Sequence, residues 1–262
     1  MLRIGTSGFS YKDWVGAYYP TGTRTDVMLE LYSGEFSTVE LDYTYYAMPN
    51  PKSMAGFVQR TPAGFTFSVR THKSITHDKS LTDEEASKNA QRVADALLPL
   101  TEAGRLGAVL VQFPWSFRMT PSNLARLESI VSSFSGMRTA VEFRNDTWAN
   151  AEALSALRGL QAALCCVDEP RIVGLFPPLV AVTADFSYLR FHGRNARNWW
   201  SQAPGMDRYD YDYSDGELDE WIPGIHKLEK ATKETYIYMN NCHMGKAARN
   251  ARALKRKLMG DA

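Results

Sequence analysis

The sequence predicts a single-domain α/β fold, a TIM-like (β/α)8 barrel, and two observations carry that prediction. Eight short apolar stretches recur at roughly regular intervals along the 262 residues, and most end in a charged or strongly polar residue. Between them lie segments with apolar residues at helical spacing or with helix start and stop signals. Parallel strands need crossovers, the crossovers are right-handed, and eight strand–helix repeats then have few compact solutions. The chain is also close to the ~250 residues typical of such a barrel.

Period and β-propensity place strands near Leu2–Thr6, Thr38–Leu41, Thr66–Arg70, Ala108–Gln112, Thr139–Phe143, Ala163–Val167, Tyr188–Phe191 and Thr235–Met239. Thr25–Tyr32 reads as a helix from its spacing. A second runs from the capping box Thr82-Asp-Glu-Glu85 to the stop signal Gly104. Pro121–Phe134 is capped by Thr120 and opens on Pro121. Ala151–Gly159 and Gly216–Lys233 follow, the latter kinked or broken by Pro223, and Lys246–Leu258 is a basic amphipathic helix. An open doubly wound sheet would advertise a glycine-rich phosphate turn after its first strand, and Gly5-Thr-Ser-Gly8 is too short and polar for that. No linker divides the chain, so residues 1–262 form one domain. Two connections are unusually long, Thr6–Arg24 and Gly193–Asp215, and long loops in a compact domain tend to be functional.

Bulk composition narrows the function class. Thirty Lys and Arg nearly balance 29 Asp and Glu, so no global field favours nucleic acid or a membrane, and any basic site is local. Charged residues interrupt every apolar run well short of ~20 residues, which excludes a membrane-spanning helix from the expectation. Met1-Leu-Arg-Ile-Gly5 enters a strand at once and leaves no room for a signal peptide, so a cytoplasmic protein is expected. Three cysteines do not suggest a disulfide framework, and Cys165 and Cys166 read as inert core thiols.

Motifs running the length of the chain carry a family resemblance. Ile4-Gly-Thr-Ser-Gly-Phe-Ser-Tyr11 is followed by Trp14, Tyr18, Tyr19 and Pro20. Val39-Glu40, Tyr45-Tyr46, Ile75-Thr-His77, Val111-Gln-Phe-Pro114 and Val141-Glu-Phe-Arg144 with Trp148 come next, and then Arg190-Phe-His-Gly193. Asn240-Asn241, Gly245-Lys-Ala247 and Asn250-Ala251 close the series. In this order they resemble the YecE-like family, a domain of unknown function. The resemblance implies a TIM-like barrel, in agreement with the strand count, and implies no reaction. One position departs from the family pattern. A histidine usually follows the paired asparagines, whereas here Cys242 does and His243 comes next, so a role resting on that histidine does not transfer by position.

Alternate residues of a strand share a face, so Glu142 with Arg144 and Arg190 with His192 each aim two ionisable groups in one direction. A parallel barrel gathers its strand ends around one mouth, where barrel active sites lie. Glu40, Glu142 and Asp168 are therefore candidate acid–base carboxylates, and His192 a candidate base. A low-dielectric pocket can separate the pKa values of such carboxyls. The bland alternative is that Glu142 neutralises Arg144 or Arg190 in a buried network. Arg70, Lys73, Arg144, Arg190, Arg194 and Lys246 are basic residues at the same end, and Asn240 joins them. The arginine fork suits carboxylate or phosphate, and the loops bearing Arg194 and Lys246 follow the last two strands, where many barrels hold phosphate. His72 and His77 flank the exit of the third strand. No dedicated zinc spacing or cofactor motif is present, although Glu40, Glu142, Asp168 and His192 would suffice for one divalent ion.

Trp14, Tyr18, Tyr19, Tyr43, Tyr45 and Tyr46 crowd the first loops, and Trp199, Trp200, Tyr209, Tyr211 and Tyr213 the seventh. Such rings either stack on a sugar or base, as Tyr43 and Trp200 are placed to do, or pack the loops onto the rim. The expected function is an enzyme acting on a small anionic ligand, a phosphorylated sugar or nucleotide, by carboxylate acid–base chemistry. The alternatives are a nucleic-acid protein analogous to barrel-type abasic-site endonucleases and a ligand-binding barrel without turnover.

Overall fold

The computed structural model describes residues 1–201 and 207–260; part of the predicted Gly193–Asp215 connection lies outside the described residues. Eight parallel strands form one sheet: β1 (Leu2–Thr6), β2 (Thr38–Leu41), β3 (Thr66–Arg70), β4 (Leu106–Gln112), β5 (Thr139–Glu142), β6 (Ala163–Asp168), β7 (Phe186–Phe191) and β8 (Glu234–Met239). All eight lie within two residues of the sequence expectation. Their order is β1-β8-β7-β6-β5-β4-β3-β2. Apolar residues fill the space between this barrel and the helices around it.

The barrel is nearly closed, and its seam lies between β1 and β2. There a single bridge joins Ser7 to Glu40, and the Gly8 amide donates to the Glu40 carbonyl at 2.7 Å. Below that point the Tyr32 hydroxyl stands in for the missing ladder. It accepts from the Thr6 amide at 2.9 Å and donates to the Thr38 carbonyl at 3.1 Å. The close approach explains the glycine at position 5, because a Cβ there would sit 2.2 Å from the Thr38 carbonyl oxygen.

The helices are α1 (Met28–Ser33), α2 (Pro51–Gln59), α3 (Lys73–Thr76), α4 (Asp83–Ala96), α5 (Leu98–Glu102), α6 (Pro121–Ser132), α7 (Ala151–Gly159), α8 (Asp215–Asp219), α9 (Ile222–Ala231) and α10 (Lys246–Met259). Predicted caps are in place. Thr82 and Glu85 form a reciprocal capping box and Thr120 accepts from the Asn123 amide; Asn150, not singled out in the sequence, likewise caps α7 by accepting from the Ala153 amide.

Two expected helices are divided. Thr82–Gly104 becomes α4 and α5, because Pro99 cannot continue a helix and instead occupies the first turn of the next. Gly216–Lys233 becomes α8 and α9, with Pro223 in the first turn of α9. The connection between β6 and β7 contains no helix. Its Thr183 hydroxyl accepts from the Leu164 amide and donates to the Ala162 carbonyl, both at 2.7 Å, so this segment covers β6 directly. No helix among the described residues is long and apolar enough to cross a membrane.

Candidate active site at the mouth of the barrel

The barrel interior is stacked in polar layers toward the C-terminal ends of the strands. Lowest is a hydroxyl layer: Tyr238 meets the Thr38 hydroxyl at 2.6 Å and donates to the Ser68 hydroxyl at 2.9 Å. The next layer is ionic. Arg190 is 1% exposed and donates through Nη2 to Glu40 and through Nη1 to Glu142, each at 2.7 Å. Tyr188 donates a further hydrogen bond of 2.6 Å to Glu40. The strands place these groups together because Glu40, Glu142 and Arg190 occupy matching inward positions on β2, β5 and β7.

Glu142 is the hub. Its Oε1 lies 2.5 Å from Arg144 Nε and 3.2 Å from His192 Nε2. Both contacts are poorly aligned for hydrogen bonds, so the charge of Arg144 rather than directional bonding holds this oxygen. Burial alone would push its carboxyl up, but Arg144, then Arg190 and His192, outweigh it and hold the group well below the ordinary carboxylate range. The Asn240 amide donates to His192 Nδ1 at 2.9 Å, so the ring hydrogen of the neutral histidine resides on Nε2, facing Glu142. Burial, reinforced by Arg144, lowers His192 to about 3.

Above this floor a cleft of about 960 Å3 opens to solvent. Its polar lining includes Arg70, Arg144, Arg208, Asp42, His77, Gln112 and Asn240. Arg70 donates to Asp42 at 2.8 Å and to Gln112. Arg70, followed by Arg190, overcomes burial to keep Asp42 ionised. Arg144 donates through Nη1 to Glu169 at 2.9 Å, while its Nη2 has no partner among the described residues. Glu169 is 4% exposed. Its burial, with the charge of Glu142 added, outweighs Arg144 and raises it to about 8. Burial, with Arg70 and Arg144 nearby, keeps His77 neutral, at about 4.

The sequence-predicted residues thus separate into groups. Glu40, Glu142, Arg190 and His192 converge beneath the cleft, and Arg144 and Asn240 line it. Tyr43 and Trp200 line it too, at 42% and 52% exposure. Asp168 leaves from the same end of the barrel but turns aside. It binds Arg194 through both oxygens, at 2.7–3.1 Å, and accepts from Trp221 Nε1 at 2.5 Å. Arg194 continues to Glu220 at 2.8 Å, so this pair pins the β7–α8 loop to α8 and α9. Lys246 pairs with Asp210, and Lys73 is exposed on α3; neither lines the cleft. The expected clamp of Arg144, Arg190, Arg194 and Lys246 around one anion is therefore not assembled: Arg190 lies beneath the floor, and Arg194 and Lys246 are taken up by acids of their own.

The four groups considered for one divalent ion are likewise separated, because Asp168 faces Arg194 while Arg190 lies between Glu40 and Glu142. No cluster of three metal-ligating side chains occurs among the described residues. Cys242, standing where the family pattern has histidine, lines the cleft with its Sγ 3.1 Å from the Ser7 carbonyl, and burial pushes its thiol up to about 12.

Aromatic residues divide as well. Trp14 and Tyr19 are buried in loop packing, whereas Phe9, Tyr45, Tyr46, Trp115, Trp199 and Tyr209 join Tyr43 and Trp200 along the cleft. Four polar contributors were missed by the site reading: Asp42, Glu169, Arg208 and Gln112, the last at the end of β4. Asp42 shares the strand face of Glu40 two residues earlier, a signal that alternation could have supplied. Glu169 and Arg208 lie on loops and carry no such signal.

The comparisons with known proteins agree with the architecture. The UPF0759 protein YunF of Bacillus subtilis is 30% identical over 268 residues, covering 97% of this chain and 93% of the relative. A crystal structure of a DUF72 family protein from Thermotoga maritima matches with a TM-score of 0.88 and 39% identity, over 98% of this chain and 99% of that one. A DUF72 family protein from Enterococcus faecalis matches at 0.85 and 28%, over 98% and 95%. A D-psicose 3-epimerase crystallised with D-fructose matches at 0.53 with 8% identity over 99% and 100%, a likeness of fold alone. The resemblance drawn from the motifs is borne out: matched from residue 3 to residue 262, the chain belongs to the family described as protein of unknown function DUF72.

Proposed function

We propose that the protein is an enzyme that binds a small anionic ligand, of the phosphorylated-sugar or nucleotide kind, in the cleft at the C-terminal mouth. The observation that carries the reading is Arg144. Its guanidinium lines an aromatic-walled cleft with Nη2 unpartnered among the described residues, while Glu142 lies against Nε and Glu169 accepts from Nη1. A planar donor held in that way meets an oxyanion without having to be ordered first. Arg70 and Arg208 supply further positive charge on the same lining, and the exposed rings of Tyr43 and Trp200 offer faces for a sugar or base.

Within this reading Glu142 is a counter-ion rather than a base. A carboxylate held by two guanidiniums and a histidine has little affinity for a proton. It fixes Arg144 and Arg190 in register beneath the ligand.

A thermal-shift panel tests the proposal. It comprises inorganic phosphate, sugar phosphates, mononucleotides, their unphosphorylated counterparts and a short single-stranded oligonucleotide. A ligand at a hundred times its Kd stabilises the folded state by about 2.7 kcal/mol. Phosphorylated members should raise the melting temperature, their neutral counterparts should not, and Arg144→Met should abolish the difference. Equal shifts for phosphorylated and neutral members, or none for either, would refute the reading. Stronger binding of the oligonucleotide than of the mononucleotide would move it toward nucleic acid.

A further inference from the structure

Asp168 and Glu169 are adjacent carboxyls with opposite fates. Asp168, on β6, is saturated by Arg194 and Trp221. Glu169, one residue on, points away from that network and meets Arg144. Its Oε2 accepts from Arg144 Nη1 at 2.9 Å, and its Oε1 is buried with no partner among the described residues. A buried carboxylate oxygen without a donor is costly, whereas a protonated one needs much less compensation. The site therefore favours a proton on Glu169 unless Arg144 offsets the charge.

We propose that Glu169 is the proton-exchanging group of this site, and that an anion engaging Arg144 makes it hold its proton more tightly, drawing part of a proton from solvent where the carboxyl is still ionised. This inference rests on the proposed binding of an anion at Arg144. The proton arrives on the carboxylate from water or buffer, and no bond of the ligand is made or broken.

The charges that bear on Glu169 are few. Arg144 and Glu142, both from the end of β5, act on it directly, and the dipole of the Phe176 backbone N–H adds a smaller pull toward the carboxylate. Arg190 of β7 and Tyr209 of the following loop act on Arg144 in turn. Arg144 is thus the single cation set against burial and Glu142, and its Nη2 edge is where the ligand would sit. An added negative charge there weakens the offset and tightens proton binding. With Glu169 at about 8, a small change in that balance alters its charge around pH 8, where the group is still partly ionised. Linkage makes the effect reciprocal, so a non-titrating anion must bind more tightly at lower pH.

The full-length chain, labelled at glutamate carboxyl carbons, permits a direct test by NMR titration, with the Glu169→Gln spectrum identifying the resonance. Sulfate serves as probe because it does not titrate in this range, and calorimetry reports its binding separately. The expected midpoint is near 8, and saturating sulfate should tighten proton binding by roughly threefold or more. Arg144→Met should raise the midpoint without any ligand, and Arg144→Gln replaces it if that variant does not fold.

A midpoint in the ordinary carboxylate range overturns the proposal. So does a midpoint unmoved by bound sulfate, or by loss of Arg144. If calorimetry shows no sulfate binding, the anion reading fails, while the Arg144 variants still decide whether Glu169 exchanges protons under that residue's control.

Discussion

Replacing Arg190 with methionine should be among the most damaging single changes in the ionic floor. Its guanidinium is 1% exposed and bridges Glu40 and Glu142 at 2.7 Å each, with Asp42 at 3.7 Å. Methionine approximates the aliphatic stem, so the loss is one of charge more than of volume. Glu142 keeps Arg144 and His192, whereas Glu40 keeps only the Tyr188 hydroxyl and becomes the stranded charge. Removing one partner of a buried ion pair costs about 3–5 kcal/mol. For a chain of this size, at roughly 2–4 °C per kcal/mol, the melting temperature should fall by about 6–20 °C.

Urea and thermal unfolding of wild type and variant measure the loss. The double variant Arg190→Met/Glu40→Gln discriminates the cause, because it removes the stranded carboxylate and should recover a large part of the stability. A single variant that melts cooperatively within about 2 °C of wild type would refute the reasoning. A double variant no better than the single would show that Glu40 is not the group left uncompensated.

Three further outcomes follow from the same geometry. Asp168→Ala leaves the buried Trp221 N–H without its acceptor and Arg194 with Glu220 alone at hydrogen-bond distance, and should cost about 2–4 kcal/mol by denaturant unfolding, while ligand-induced thermal shifts persist because Asp168 does not line the cleft. The folded protein binds protons at His192 and His77 only at about 3 and about 4, against 6.5 for the unfolded ring, so their contribution is complete above pH 6.5 and declines as the pH falls. Melting temperatures recorded from pH 6.5 to pH 4 should therefore decline, less steeply than two histidines alone would give because the raised Glu169 gains stability as the pH falls, and with a shallower slope in His77→Gln; identical slopes would remove His77 from the account. Gly5→Ala places a methyl group against the Thr38 carbonyl and should cost about 3 kcal/mol or more, and a melting temperature equal to wild type would show that the seam yields.

The strands were legible because their signal is local: each is a short apolar run bounded by turn residues, and all eight fall where period places them. Helix α2 was overlooked although Asn50-Pro51 is a sound cap and first-turn pair, with Asn50 accepting from the Ser53 amide at 2.9 Å. The divided helices turn on prolines, and Pro99 was legible in the way that Pro223 was. The site was half legible. Alternation identified Glu142, Arg144, Arg190 and His192, because a strand end declares its face. It could not reveal that Arg190 is consumed by Glu40 and Glu142, since that depends on which strands stand opposite across the barrel. Nor could it show Arg194 and Lys246 captured by Asp168 and Asp210, because loops carry no period from which direction can be read.

The seam between β1 and β2 has a consequence for the order in which the molecule assembles. β1 runs in register with β8 from Leu2 opposite Thr235 to Thr6 opposite Met239, but meets β2 through little more than one bridge and the Tyr32 hydroxyl. Strand β1 therefore has its principal partner in β8, the last strand of the barrel. At chain growth of about 5–20 residues per second it waits on the order of ten to fifty seconds for β8. In that interval β2 through β7 can pair in sequence, leaving both sides of the growing sheet open. Pairing of β1 with β8 thus brings Ser7 beside Glu40 and closes the wall beneath the cleft.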